Sequence, residues 1–318
     1  MTDRAMENKP VENPNVNAAS AAGTDTPEKG VTGSLWYEAW LRFRRNRLAM
    51  LGLFMIVALF GVAVFAPQIS PYDPYKQLVW TEGAKAKLAA PSSAHWMGTD
   101  AYGRDIMSRV FHGSRLSLQI GLLATVVSLL IGVPLGALAG YFGGWVDDLI
   151  SWLINVIFAF PFMLFVLAIV AVLNNPSMIV VFTAIGLVSW VAIARVTRAQ
   201  FMSLREREYV EATKAIGLPT RTILFKHILP NTLAPVIVQA TLGIGSIILT
   251  EAGLAFLGFG AQPPAPSWGL MISDGQQYLA TGQWWWALFP GVAIMYTVLA
   301  FNFLGDGLRD ALDVRLKR

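Results

Sequence analysis

The sequence has no cysteine and only three histidines among its 318 residues. Without cysteine there is no disulfide framework, no thiolate nucleophile and no Cys-ligated zinc or iron–sulfur centre. The histidines, His95, His112 and His227, lie too far apart for a metal site built on local spacing. With no paired carboxylates patterned beside them, His95 and His112 read as solvated loop residues. Charge is scarce as well. Only 14% of the residues are charged, against about 25% in a soluble domain, and charged side chains are what a water-facing surface is built from. With 55% hydrophobic residues and a mean hydropathy of +0.52, that scarcity argues against a soluble enzyme and for a membrane protein.

Enzyme motifs are missing too. There is no G-x-S-x-G, no H-E-x-x-H, no G-x-x-x-x-G-K-[ST] and no dinucleotide-binding glycine pattern, so the sequence nominates no catalytic, cofactor-binding or metal-ligating residue. Without a phosphate-cradling loop, any energy coupling has to enter from outside the membrane. A proton or ion relay places ionisable residues inside the spans despite a cost of ~2.5–3.5 kcal/mol each at the helix centre. The apolar runs of this chain hold none. An ion-coupled carrier would have to rely on backbone carbonyls.

What the chain does have is apolar length. Six runs free of Asp, Glu, Lys, Arg and His cover 49–67, 116–140, 149–173, 178–194, 232–250 and 286–304. About 20 helical residues cross a hydrocarbon core of about 30 Å, so all six qualify, the fourth at the lower limit. The expected fold is an all-α membrane protein with six transmembrane helices. Outside residues 1–34, fifteen Lys and Arg fall on the N-terminal side of the membrane and six, all within 68–115, on the other. The positive-inside rule therefore places both termini in the cytoplasm, although the 141–148 loop carries Asp147 and Asp148 and no basic residue.

Residues 1–34, rich in Asn, Pro, Ala, Thr and Glu, read as a disordered cytoplasmic tail. They are not a signal peptide, because the first apolar run starts only at residue 49 and has no cleavage pattern behind it. Across 35–48, Trp36, Trp40 and Phe43 recur at i, i+4 and i+7 above a set of arginines. This is either a helix lying in the headgroup plane or an extension of the first span, so 35–67 is one unit. An extracytoplasmic segment at 68–115, a transmembrane domain at 116–310 and a cytoplasmic tail at 311–318 follow.

The most informative stretch is Arg205 to Asn231. Tyr209, Ala212 and Ile216 fall on one helical face, with Arg205, Glu206, Glu208 and Lys214 elsewhere. Gly217 suits the left-handed residue that closes a helix, and Pro219 the first turn of another. That second helix is expected to run to about Leu229, presenting Ile223, Leu224 and Ile228 before Pro230 leads into the fifth span. The result is a short helix–turn–helix at 205–230 on the cytoplasmic face; the alternative is a solvated basic loop that merely obeys the positive-inside rule.

Glu211-Ala212-Thr213, Gly217 and Leu229-Pro230 resemble the E-A-A-x-x-x-G-(nine residues)-I-x-L-P signature of permease subunits of bacterial ABC importers. Thr213 replaces an Ala and His227 an Ile, and His227-Ile228-Leu229-Pro230-Asn231 looks like the variant of the peptide-importer branch. Gly98-Thr99-Asp100, Gly103-Arg104-Asp105, Ser108-Arg109, Gly113 to Leu118, Gly140 to Asp147, Gln262-Pro263-Pro264, Ser267-Trp268-Gly269 and Phe301 to Asp313 extend the resemblance. They are similar to the second of two paired permeases in the peptide/nickel branch. Trp152 and Asn155 stand where that family often has Arg and Asp, which puts an inherited ion pair at the third span in doubt, and Val314 stands where it often has Pro.

The resemblance implies a type I ABC importer permease fold in a bacterial inner membrane, with no catalysis and no cofactor of its own. It implies that Glu208, Tyr209, Glu211, Ala212, Gly217, Leu218, Arg221 and His227 couple to an ATPase. The implied partners are a second homologous permease, two cytoplasmic ABC ATPase subunits, an extracytoplasmic peptide-binding protein and the lipid bilayer, with no nucleic acid. The implied cargo is oligopeptides or dipeptides. A nickel importer is the alternative within the branch, and an ion-coupled secondary transporter or channel the one outside it.

Other features carry structural expectations. Gly132, Gly136 and Gly140, four apart, allow close helix packing, with a gating role as the alternative. Pro134 and Pro161 lie inside spans and can kink them. Trp284, Trp285 and Trp286 fit an aromatic belt, and Glu251, just past the fifth run, fits an interfacial carboxylate facing water.

Overall fold

A computed structural model describes residues 35–173 and 177–312. The expected 1–34 tail, residues 174–176 and the basic residues Arg315, Lys317 and Arg318 lie outside these. The chain divides after Glu38 into two units. The described part of the first is the opening turn of a helix, and the second, from Ala39 onward, holds the features below.

Apart from an isolated bridge between Thr99 and Asp105, the described residues form helices, turns and loops. Helix α1 (Leu35–Arg45) stops before Asn46, whose side-chain oxygen accepts from the N–H groups of Leu48 and Ala49 and so caps α2 (Arg47–Ile69). The cap satisfies donors that the helix itself leaves free. α1 is thus a separate helix and not an extension of the span. Phe43 is buried with Ala49 and Ala311, while Trp40, stacked on it at 5.9 Å, is half exposed.

Asp105 caps α3 (Ile106–Phe142), which runs 37 residues through Pro134 without a break. The expected third span behaves differently. It is split into α4 (Gly144–Phe158) and α5 (Phe162–Leu173), bent by 88° to each other. Pro161 sits at the break, where it lacks an N–H and keeps Phe160 out of the helical region. After α6 (Met178–Arg205) and the short α7 (Glu208–Ala215), α8 (Leu229–Phe256) continues an unbroken run from Thr220. α9 (Trp268–Gln276) and α10 (Trp285–Leu312) complete the chain. Among the described residues five helices are long and apolar enough to cross a membrane, and the bent pair makes a sixth when its two halves are taken as one span.

Backbone contact locks α3 to α6. A Cβ added at Gly132, Gly136 or Gly140 would come within 2.6, 2.5 and 2.5 Å of the carbonyl oxygens of Trp190, Ala194 and Arg198. Both triplets repeat every four residues, so the stripe is a packing seam of the kind small residues make in lipid. α10 meets α2 similarly: a Cβ at Gly307 would lie 2.2 Å from that of Ala49, and Asn46 Nδ2 donates to Asp310 Oδ2 at 3.1 Å. The bundle therefore has a basic end, where α3 and α6 finish and α2 and α8 begin, and a cap end built from residues 70–105 and α9.

Candidate coupling loop and the cap at the opposite end

At the basic end, Arg205 Nη1 donates to the carbonyls of Gly140 and Tyr141, each at 3.2 Å, and fixes the end of α6 against that of α3. Arg198 forks onto Asp147 through Nε and Nη2. This pair joins the first turn of α4 to α6, so the chain has an acid–base link here although Trp152 and Asn155 cannot form one. Arg195 lies over the Phe158 ring at 3.9 Å, a cation–π contact on the same seam.

The loop follows. Glu208 and Glu211 occupy the first turn of α7 and Lys214 the last, each on the side the helix dipole favours. Gly217 closes it at φ +78°, the left-handed conformation expected of it, with open space where a Cβ would stand. Backbone conformation, not crowding, therefore calls for glycine here. Val210 anchors α7 in a small core with Phe201, Ile223 and Ile228, and Leu218 packs against its edge. The face carrying Tyr209, Ala212 and Ile216 points outward: Tyr209 is 42% exposed, Ile216 75%, and nearby in sequence Phe225 65%. Glu208, Glu211 and Arg221 are exposed and have no side-chain partner among the described residues, while His227 is half-buried.

The second arm differs from expectation. It is not a separate helix before the fifth span but the start of that span, reached through a π-helical turn at Ile223–Ile228. Pro230 accounts for the turn, since its ring crowds the carbonyl four residues back and it has no N–H to offer there. The arm and α8 are thus one continuous helical run.

The cap end is closed by its own polar groups. Asp100 is fully buried and accepts from the N–H of Tyr102 at 2.8 Å, the N–H of Arg104 at 2.9 Å and Arg104 Nε at 2.6 Å. Arg109, 1% exposed, donates to Pro74 O at 3.1 Å and Pro264 O at 3.4 Å, with its Nε 3.9 Å from Asp100 Oδ2. Asp105 accepts from the N–H and Oγ of Ser108, and its Oδ1 lies 2.9 Å from His95 Nδ1. His95 is therefore not a solvated loop residue: it is buried against Asp105 and Tyr72. His112 is partly buried, within 2.9 Å of Ser108 O. On α9, half-buried Asp274 has its carboxyl pushed above the usual carboxylate range by desolvation, against the pull of Arg104 and then Arg109.

Two further expectations change here. Trp285 and Trp286 are buried, the first donating to Thr99 O at 3.2 Å and the second stacked on Tyr278, so only Trp284 has the exposure of a belt residue. Glu251 does not face water. It is fully buried at the end of α8, accepting from Ser267 Oγ at 3.0 Å and Ser117 Oγ at 3.4 Å. It joins α8, α3 and the start of α9, where Gly269 packs so closely that a Cβ would fall 2.1 Å from Ala252 O. The segments at 98–118 and 262–269 thus meet in one knot, closed by Trp268 Nε1 donating to Val110 O at 3.0 Å.

Five long apolar helices, a sharply bent helix pair, a buried polar cap and an exposed loop braced on a membrane helix define a polytopic helical membrane protein of the type I ABC importer permease fold. The sequence model described as binding-protein-dependent transport system inner membrane component matches residues 132–318, and that of the N-terminal TM domain of oligopeptide transport permease C matches 34–91. The chain belongs to the family of inner membrane components of binding-protein-dependent transport systems. It is 46% identical to a dipeptide transport system permease protein of Alkalihalophilus pseudofirmus, over 92% of this chain and 94% of the relative. It is 41% identical to a glutathione transport system permease protein of Pectobacterium atrosepticum, over 89% and 92%. A methionine ABC transporter solved in inward-facing conformations shares the fold, with a TM-score of 0.51 and 20% identity over 65% of this chain and 98% of that one.

Proposed function

We propose that the chain is one of two permease subunits of an ATP-driven importer that carries short peptides inward across a bacterial inner membrane. The observation that carries this reading is the 205–230 loop, which is held by Val210 and its neighbours yet exposes Tyr209, Ile216 and Phe225 beside unpaired Glu208, Glu211 and Arg221. A rigid apolar patch rimmed by charge is the form of a docking surface. The docking partner is a pair of cytoplasmic ABC ATPases, and both termini lie on their side of the membrane. The chain itself hydrolyses nothing. A second homologous permease completes the path, and a peptide-binding protein delivers cargo at the cap. Dipeptide, oligopeptide and glutathione systems among the relatives and family descriptions favour peptide over nickel.

The test is reconstitution with the partner subunits in liposomes, scoring uptake of a labelled dipeptide, glutathione and nickel. Peptide uptake that requires both ATP and the binding protein is expected. Nickel uptake without peptide uptake would overturn the cargo, and uptake by this chain alone along an ion gradient would overturn the importer.

A further inference from the structure

A groove runs along the seam of α6 and α8. Toward the cap end lies a cavity of about 270 Å³ whose lining includes Ser189, Ser246 and Thr250; toward the basic end lies another of about 670 Å³ lined by Gln200 and Arg309 among others. Gln239 lines both. From Pro235 to Thr250 the α8 wall extends about 22 Å at about 1.5 Å per residue. The lining is uncharged except for Arg309.

Its hydrogen bonding is unfinished. Thr250 Oγ1 is turned back onto Ser246 O at 2.9 Å, but the side chains of Gln239, Gln200, Ser189 and Ser246 have no partner among the described residues. A primary amide within the apolar run 232–250 is costly against lipid. Its presence there is explained if the groove faces a wet path with something to bind.

We infer that this groove is the chain's share of the translocation path and that Gln239, between Ser246 and Gln200, holds the passing peptide by its main-chain amides. The inference rests on the peptide-importer reading and adds the place and mode of contact. A glutamine side chain offers donors and an acceptor together, which match the N–H and C=O that every peptide bond carries. Being neutral, it favours neither acidic nor basic cargo, and neutral contacts are weak enough to release what they hold.

The absence of native cysteine in this chain makes a labelling test direct. In membranes holding the whole transporter, Gln239→Cys and Ser246→Cys are compared with Ile237→Cys, which lies about 160° around α8 from Gln239 and is 37% exposed. A hydrophilic maleimide should modify the first two about tenfold faster, and peptide-loaded binding protein should slow that labelling more than unloaded binding protein does. Equal rates at the three positions, or no effect of peptide, overturn the inference.

A second measurement uses Gln239→Leu in single-turnover transport of a tripeptide and its backbone N-methylated analogue from preloaded binding protein. The wild-type transporter should move the analogue about fivefold more slowly, and the variant should lose that preference. A preference that survives in the variant, or is absent from the wild type, also overturns the inference. Failure of the wild type to move any peptide instead sinks the importer reading, so the two failures are distinct.

Discussion

The two ends of this molecule treat polar sequence in opposite ways. At the cap end, Asp100, Arg104, Asp105 and Arg109 are all at least 94% buried, and hydrogen bonds link each of them to the cap or to the loop before α9. At the basic end, Glu208, Glu211 and Arg221 stay exposed, and the apolar Tyr209, Ile216 and Phe225 are exposed with them. Among the described residues the cap leaves a single buried side-chain polar atom, Arg109 Nε, without a hydrogen-bond partner, so it is close to structurally complete on its own. A segment that holds apolar side chains out on a braced helix is half of an interface. Substitutions at the cap should therefore register in stability, and those in the loop in coupling.

The sharpest way to break this contrast is at Asp100. Asp100→Ala removes the acceptor for Arg104 Nε and two backbone N–H groups and leaves buried cations behind. Stranding a buried charge costs about 3–5 kcal/mol, so the variant should be depleted from membranes and melt well below wild type in detergent. Normal yield and melting would show that the Asp100 network does not hold the cap together. Glu251→Ala comes next, since it strands the Ser117 and Ser267 hydroxyls at a cost of about 1–3 kcal/mol, read as a smaller loss of thermal stability with insertion intact.

In the loop the expected energies fall further. Gly217→Val forces a β-branched residue to φ +78° in open space, a strain of about 1–2 kcal/mol confined to the turn. Because that turn sets the angle between α7 and the arm running into α8, the variant should lose transport disproportionately to its small loss of stability. Equal losses in both assays would place Gly217 with the structural glycines.

Which of these features the sequence reveals depends on how far away the partners are. The spans are legible because length and apolarity are local properties, and the left-handed Gly217 because a turn is local. Asn46, one residue ahead of α2, carries an ordinary N-cap signal that the arginine pattern around it obscures. Pro161 marks the break in the third span but not its 88° bend, which depends on packing. The sequence points Glu251 and Trp285 to water or an interface, whereas their partners lie across the fold; His95 reads as a solvated loop residue because the turn that brings Asp105, ten residues on, against it carries no local signal. One partner of Glu251 is 134 residues away, and that of Trp285 is 186 residues away. Burial of a polar group is decided by what covers it, and that information lies in the tertiary fold. The groove around Gln239 is illegible in the sequence for a related reason. The signal was there, an amide with small residues at helical spacing in an apolar run, but only the neighbouring helix turns that stripe into a cavity.

The smallest expected stability change gives the most discriminating experiment. Ile216 is 75% exposed and lies outside the core around Val210, so Ile216→Ser removes little buried apolar surface and should shift stability by no more than about 0.5 kcal/mol. Glu211→Arg likewise has no internal partner to break, although it reverses a charge that the first turn of α7 favours at about 0.3–1 kcal/mol. Both variants should insert and melt like wild type. In the reconstituted transporter both should keep the ATPases' basal hydrolysis, yet lose most peptide uptake and most stimulation of hydrolysis by loaded binding protein. A loop that merely follows the distribution of charge across the membrane would give unchanged transport in both. Loss of stability with loss of transport would mean that the exposed face is read wrongly, whereas loss of transport alone isolates the docking role from the fold that supports it.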